Sequence, residues 1–162
     1  MSTLRSALAF SLALVTSCGS KASVAVTPSI GDAKVTLVGA SVLASSLQGS
    51  FRLHLELGVY APGATDVTLV GFELVGASDQ QSLVLLKTVA APPASSYHLE
   101  PGGQRDVNLT IAEKEGATAQ VIADPAPLCA AKTVQIAASI HDSASGQTTP
   151  THSAPLVLGG CP

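Results

Sequence analysis

Apolar and polar side chains alternate over much of the chain, and the alternation is clearest in residues 51–59. Phe51, Leu53, Leu55, Leu57 and Val59 occupy every second position, with polar or small residues between them. Successive side chains of a β-strand point to opposite faces of its sheet. The pattern therefore predicts a strand with one buried face.

Further apolar stretches predict the other strands. Alternation recurs in residues 67–74, 107–111 and 134–140, and its phase slips at Gly71, which predicts a β-bulge. Residues 83–89 form an apolar run, which predicts a strand covered on both faces. Residues 112–127 are ambiguous, because Glu113-Lys114-Glu115 and the Ala-rich sequence after it could form a short helix.

The spacing of these strands and of the turns between them predicts an all-β fold. Val, Leu, Thr, Ser and Gly dominate the composition, and charged residues make up 12% of the chain. Such a mixture suits pleated strands joined by tight turns. We expect a single antiparallel β-sandwich, immunoglobulin- or fibronectin III-like, of about seven to eight strands.

The first eighteen residues follow a different pattern. Arg5 precedes a short apolar run over residues 7–16, and small residues lead to Cys18. A charged start, an apolar stretch and a small-residue exit are the parts of a secretory signal. The run is too short for a membrane span, which needs about 20 apolar residues. Val15-Thr16-Ser17-Cys18 resembles the bacterial lipobox.

The lipobox resemblance implies a lipid-anchored protein of the cell envelope. It implies a signal peptide over residues 1–17 and lipid on Cys18. A tether over residues 18–27 would follow, and the strand pattern places the sandwich in residues 28–162. Gly19 replaces the aspartate that retains many such proteins in the inner membrane, so the resemblance favours the outer membrane. An ordinary signal peptide with Cys18 as an incidental thiol is the alternative.

The two remaining cysteines predict a disulfide that closes a C-terminal hairpin. Paired residue numbers in an antiparallel hairpin have a constant sum, and Cys129 with Cys161 centres the turn on residue 145. The turn-forming residues 142–146 lie there independently, and the same sum pairs Val134 with Leu156. Exported chains form such bonds. The return strand should be an edge strand, because it contains prolines.

No assembled catalytic or metal site is expected from the sequence. The histidines, His54, His98, His141 and His152, are dispersed, and nucleophile-elbow, metalloprotease and phosphate-loop motifs are absent. The loop over residues 90–103 contains Tyr97 and His98, which are the candidate ligand-binding residues. With 8 basic and 11 acidic side chains, the chain offers no basic patch for nucleic acid.

Residues 35–158 resemble the LEA-14 and water-stress domains. The resemblance is carried by strand 51–59 with its following turn, by Leu99-Glu100-Pro101-Gly102-Gly103 before strand 107–111, and by the hairpin ending Leu158-Gly159-Gly160. Ala61-Pro62-Gly63 departs from the Asn-Pro usual in that family. The resemblance implies a fibronectin III-like sandwich and a role in stress tolerance.

Together these features predict a non-catalytic cell-envelope lipoprotein whose sandwich serves protein contact or structural support. The expected partners are the membrane, through lipid on Cys18, and another envelope protein. No cofactor and no nucleic-acid partner are expected. Two alternatives remain open: a lipoprotein that binds a small ligand or metal through loop 90–103, and a LEA-14-like stress-tolerance domain.

Overall fold

The computed structural model describes residues 25–41 and 44–161, which form an all-β sandwich of two sheets. The predicted fold class is confirmed, and the described residues contain more strands than the seven to eight expected because some predicted strands are divided. The elements are β1 (Thr27–Ser41), β2 (Ala44–Glu56), β3 (Thr65–Gly76), β4 (Ser82–Leu86), β5 (Thr88–Ala91), β6 (Tyr97–Leu99), β7 (Gln104–Ile111), β8 (Gln120–Ile122), α1 (Ala126–Ala130), β9 (Thr133–Asp142), β10 (Gln147–His152) and β11 (Leu156–Val157).

The strands pair antiparallel within each sheet. Sheet A has the order β1-β2-β7-β5, and β8 also pairs with β2. Sheet B has the order β10-β9-β3-β4, while β11 pairs with β9 and β6 pairs with β3. The aliphatic inner faces of the two sheets meet in one core.

Strand β2 supplies the centre of this core. Phe51, Leu53, Leu55 and Leu57 are buried, as the alternation predicted. Val59 departs from the prediction, because β2 ends at Glu56 and the chain turns away, leaving Val59 68% exposed. Periodicity alone does not show where a strand ends.

The bulge predicted at Gly71 is confirmed. In the pairing of β3 with β9, Leu69 lies opposite Ile140 and Gly71 lies opposite Ser139, so Val70 has no counterpart. One extra residue in one strand shifts its side-chain alternation by one position, which explains the slipped hydrophobic phase.

The single strand predicted over residues 83–89 is wrong. The chain changes sheets at Lys87, so β4 pairs with β3 in sheet B and β5 pairs with β7 in sheet A. Lys87 and Thr88 interrupt the apolar residues where the chain crosses between the sheets, and Leu85 is 72% exposed rather than covered.

The ambiguous region, residues 112–127, does not form the helix that Glu113-Lys114-Glu115 could have started. It contains β8 and the first residues of α1, a helix of five residues that follows Pro125. Proline is well tolerated at the start of a helix, where its missing N–H needs no partner.

The C-terminal hairpin and its disulfide are confirmed. Cys129 and Cys161 are bonded with their Cα atoms 5.5 Å apart, and Leu156 pairs with Val134. The register differs nearer the turn, where His141 pairs with Thr148 rather than with residue 149. The shift arises from one extra residue between β10 and β11.

The segment after β11 connects the two sheets. The Leu37 N–H donates to the Gly159 carbonyl oxygen across 2.8 Å, which attaches the C-terminal segment of sheet B to β1 of sheet A. Gly160 has φ 85°, and a β-carbon there would overlap the Leu37 carbonyl oxygen. The disulfide at Cys161 fastens this segment to α1.

Candidate functional site

Tyr97, one of the two predicted ligand-binding residues, lies in the core. Its side chain is 2% exposed, and its hydroxyl donates a hydrogen bond to the Pro92 carbonyl oxygen at 3.1 Å. Burial raises the pKa of the Tyr97 hydroxyl, and the Arg105 guanidinium, 5.9 Å from the ring centre, opposes this shift. In this position Tyr97 supports the loop that precedes β6.

His98 lies on the opposite face of sheet B and is exposed. Its Nδ1 is 2.9 Å from Asp66 Oδ1, and its Nε2 is 3.3 Å from Glu100 Oε1. Hydrogen bonds to Asp66 and then to Glu100 raise the pKa of His98. Because Tyr97 and His98 are consecutive strand residues, they do not share a surface. Their predicted role in ligand binding stays a prediction.

The other histidines are separated as the strand positions require. His54 Nδ1 lies 2.6 Å from Asp106 Oδ1 on the outer face of sheet A. His141 pairs with Thr148, and His152 pairs with Ala137. In the described part of the chain, no three His, Cys, Asp or Glu side chains are arranged to hold a metal ion.

Sheet B has an interruption along one edge of β3. Both β4 and β6 pair with this edge, β4 from Phe72 onward and β6 up to Val67. Between them the chain leaves for sheet A as β5 and returns after the loop over residues 92–96. We call residues 68–71 of β3 the β3 gap. On one side all of them except Val70 pair with β9, and no described strand pairs with their other side.

Two clefts meet at the β3 gap. The outer cleft, of about 430 Å³, lies on the solvent face of sheet B and is lined by Glu73, Leu85, Ser139 and His152, among others. The inter-sheet cleft, of about 520 Å³, includes Leu69, Leu86, Val89, Pro93 and Lys114. Val70, Gly71, Phe72 and Leu86 line both clefts.

The rim of the gap is apolar and accessible. Val70 is 60% exposed because the bulge turns it outward, and Leu85 stands beside the outer cleft. The neighbouring edge of β4 is closed by Gln120, which accepts from the Lys87 N–H at 2.8 Å and donates to the Leu85 carbonyl oxygen at 2.8 Å. Unpaired strand edges invite pairing by another chain, so the β3 gap is a candidate contact site.

Sequence reasoning missed Val70 and Leu85 as candidate contact residues. The phase slip at Gly71 was the available signal for Val70, since the extra residue of a bulge leaves the regular alternation. Leu85 gave no such signal, because an apolar run does not distinguish a doubly covered strand from one that changes sheets.

The predicted lipid site, Cys18, lies outside the described residues, as do the predicted signal peptide and most of the tether. Near the predicted boundary at residue 28, Val26 is buried and β1 starts at Thr27. Among the described residues, no helix has the length and apolar character needed to cross a membrane.

Comparisons with known proteins identify no family for this chain. No protein-family model matches the chain, and no curated protein matches it. An X-ray structure of Northeast Structural Genomics Consortium target SoR45 is similar, with 11% sequence identity and a TM-score of 0.40. The match covers 83% of this chain and 85% of that one. The resemblances to lipobox proteins and to LEA-14 domains therefore stay predictions.

Proposed function

We propose that this chain is a non-catalytic lipoprotein of the cell envelope that contacts another envelope protein through the β3 gap. The observation that carries the proposal is the meeting of two clefts at an unpaired stretch of β3. The apolar side chains of Val70 and Leu85 stand beside this stretch. Pockets that receive one or a few apolar side chains are typical centres of protein interfaces.

The size of the gap defines the kind of contact. Only four residues of β3 lack a partner on this edge, and β4 and β6 occupy the same line on either side. A long added strand would collide with both. A loop of the partner that presents one or two apolar side chains fits, because adjacent clefts lie on both faces of the sheet.

The proposal assigns no catalytic residue and no cofactor. The His54 imidazole is paired with Asp106, and the His98 imidazole is paired with Asp66 and Glu100. General acid–base catalysis requires such a pair to meet a reacting group within hydrogen-bond reach. The clefts that meet at the β3 gap contain neither pair. His152 and Glu73 both line the outer cleft, but the described hydrogen bond of Glu73 is to Ser82 and not to His152.

Lipid on Cys18 would hold the domain to the outer membrane in this proposal. Two or more acyl chains anchor a protein stably, since each buried methylene contributes about 0.8 kcal/mol. Mass spectrometry of the mature protein should find an N-terminal, acylated Cys18. A mature chain that begins at another residue would contradict the anchor.

A site-specific photocrosslinker tests the protein contact. A photoreactive phenylalanine analogue placed at Val70 should give one discrete heterologous crosslink in intact cells, and Leu85→Asp should abolish it. The same analogue at Val157, which is exposed on β11, is the matched control and should give none. Equal yields at both positions, or a crosslink only between two copies of this chain, would refute the proposal.

Binding of a small ligand is the second candidate function. The inter-sheet cleft falls within the roughly 300–1,000 Å³ typical of ligand sites, and Pro93 and Ala94 of loop 90–103 contribute to its wall. In this version Tyr97 positions the loop through Pro92 and does not contact the ligand. Ligand-induced shifts in amide NMR signals at Val89 and Ala94, without a crosslink at Val70, would favour it.

A further inference from the structure

The turn between β2 and β3 carries the most exposed large apolar side chain in the described part of the molecule. Tyr60 is 90% exposed, and Val59 beside it is also largely exposed. We call residues 57–64 the Tyr60 turn. Both side chains stand at the end of the sandwich where β2 ends and β3 begins.

The backbone of the Tyr60 turn is held in place. The Ala61 N–H donates to the Gly58 carbonyl oxygen at 3.0 Å, and the Gly102 N–H donates to the Leu57 carbonyl oxygen at 2.9 Å. The Val59 side chain stands against Gly102, where a β-carbon would be only 3.0 Å away. The turn therefore presents Tyr60 on a supported backbone.

The chain enters the sandwich at the same end. Thr27 at the start of β1 pairs with Glu56 at the end of β2, and the Tyr60 turn follows Glu56 directly. Seven residues, 18–24, connect Cys18 to the first described residue, and seven residues span at most about 25 Å. A lipid on Cys18 would therefore keep this end close to the membrane.

We infer that the Tyr60 turn is a second membrane contact, with Tyr60 and Val59 seated in the headgroup region of the membrane that holds Cys18. This inference rests on the proposed lipid anchor. Tyrosine suits that region because its ring is apolar and its hydroxyl is polar. A fixed second contact would orient the sandwich upright, with the β3 gap facing sideways along the membrane surface.

The charges at this end identify the lipid surface that fits. Two cationic groups lie at this end, Arg105 opposite Leu55 and His98 between Asp66 and Glu100, but they are outnumbered by the carboxylates of Glu56, Asp66 and Glu100. Anionic headgroups would be repelled by these side chains. The turn therefore fits zwitterionic lipids, such as phosphatidylethanolamine or phosphatidylcholine, better than phosphatidylglycerol.

Tyrosine fluorescence provides a direct test, because the chain has no Trp and only two Tyr. Tyr97 is buried, so a Tyr60→Ser variant supplies the background emission of Tyr97 alone. The full-length, bacterially processed protein would be incorporated into phosphatidylcholine vesicles with or without bromine on the acyl chains. Brominated lipid should quench the Tyr60 emission relative to ordinary lipid, as expected for a ring at the membrane interface.

Two comparisons sharpen the result. Val157→Ser is the matched control, because it removes an exposed apolar side chain that belongs to neither proposed contact, and it should leave the quenching unchanged. Replacing half of the phosphatidylcholine with phosphatidylglycerol should reduce the quenching. Acylated protein whose Tyr60 emission is equal in brominated and ordinary vesicles would overturn the inference while leaving the anchor intact. Absence of lipid on Cys18 in the mass spectrum would instead overturn the anchor, and the inference with it.

Discussion

Removal of the Cys129–Cys161 bond should lower the stability of the sandwich without changing its fold. The bond closes a loop with a sequence separation of 32 residues. In the chain-entropy model, a loop of this size is worth roughly 3–4 kcal/mol at 25 °C, because the bond restricts the unfolded chain. A Cys129→Ser/Cys161→Ser double variant should therefore lose about that much free energy of unfolding.

The loss should appear first in the segment that connects the sheets. Without the disulfide, this segment is held by the 2.8 Å bond from the Leu37 N–H to Gly159, by a longer bond from the Gly159 N–H to Val35, and by burial of Leu158. Few contacts and an edge position allow local opening below the free energy of global unfolding. Amide exchange at Leu37 and Gly159 should therefore accelerate much more than at Leu53.

Urea unfolding followed by circular dichroism measures the global effect, and amide hydrogen exchange measures the local one. Both proteins should carry Cys18→Ser, so that a third thiol does not exchange with the pair. For a domain of this size the melting temperature should fall by roughly 10–15 °C. A change below about 1 kcal/mol would refute the loop-closure reasoning, and equal acceleration at Leu37 and Leu53 would refute the local opening.

Two further predictions concern single residues. Gly160→Ala should destabilise the protein by roughly 1–3 kcal/mol in urea unfolding, since φ 85° and the nearby Leu37 carbonyl both oppose a β-carbon; Gly63→Ala, which meets nothing within 4 Å, should be neutral. Asp142 is buried, and although burial raises its pKa, hydrogen bonds from Thr65, Ser145 and the Ala144 N–H hold the pKa below its ordinary value. Its contribution to stability should be complete above the ordinary Asp pKa and be lost as pH falls through the lowered one. Asp142→Asn should lower the free energy of unfolding by roughly 1–3 kcal/mol at pH 7. It should also make the urea midpoint less dependent on pH below about pH 4, and an unchanged pH dependence in that range would contradict this.

The parts of the fold that were predictable are those in which one local pattern has one structural meaning. Strict alternation around Leu53 and Leu55 fits only a half-buried strand, and the phase slip at Gly71 fits only an inserted residue. The apolar run at residues 83–89 had two possible meanings. Only the partners of its two halves, β3 and β7, separate a doubly covered strand from a change of sheets.

The C-terminal register shows a similar limit. The constant-sum rule was correct at Leu156 and at the disulfide but shifted by one near the turn. Ser153 causes the difference, because its N–H donates to the Ile136 carbonyl oxygen while its hydroxyl accepts from the Ile136 N–H. A serine that takes the place of a strand partner in this way leaves no periodic signal in the sequence.

The candidate site was less predictable than the fold. The β3 gap arises because β4, which follows β3 after a short turn, pairs with it only from Phe72 onward, and β6, which is more distant in sequence, pairs only up to Val67. Neither end is visible in the local pattern. Tyr97 and His98 were chosen for their chemistry within a loop. The structure places them in a strand, where consecutive side chains separate to opposite faces.

The placement of β1 has a mechanical consequence. A pull on the N-terminal end of the domain acts along a strand of 15 residues that is bonded to β2 and, near its other end, to Gly159. Hydrogen bonds between antiparallel strands lie perpendicular to the strands, so such a force loads many of them in shear at once rather than opening them one by one. The disulfide at Cys161 carries part of this load to α1 and sheet B through a covalent bond. A domain held at its N-terminal end would therefore stay folded as a unit when it is pulled from that end.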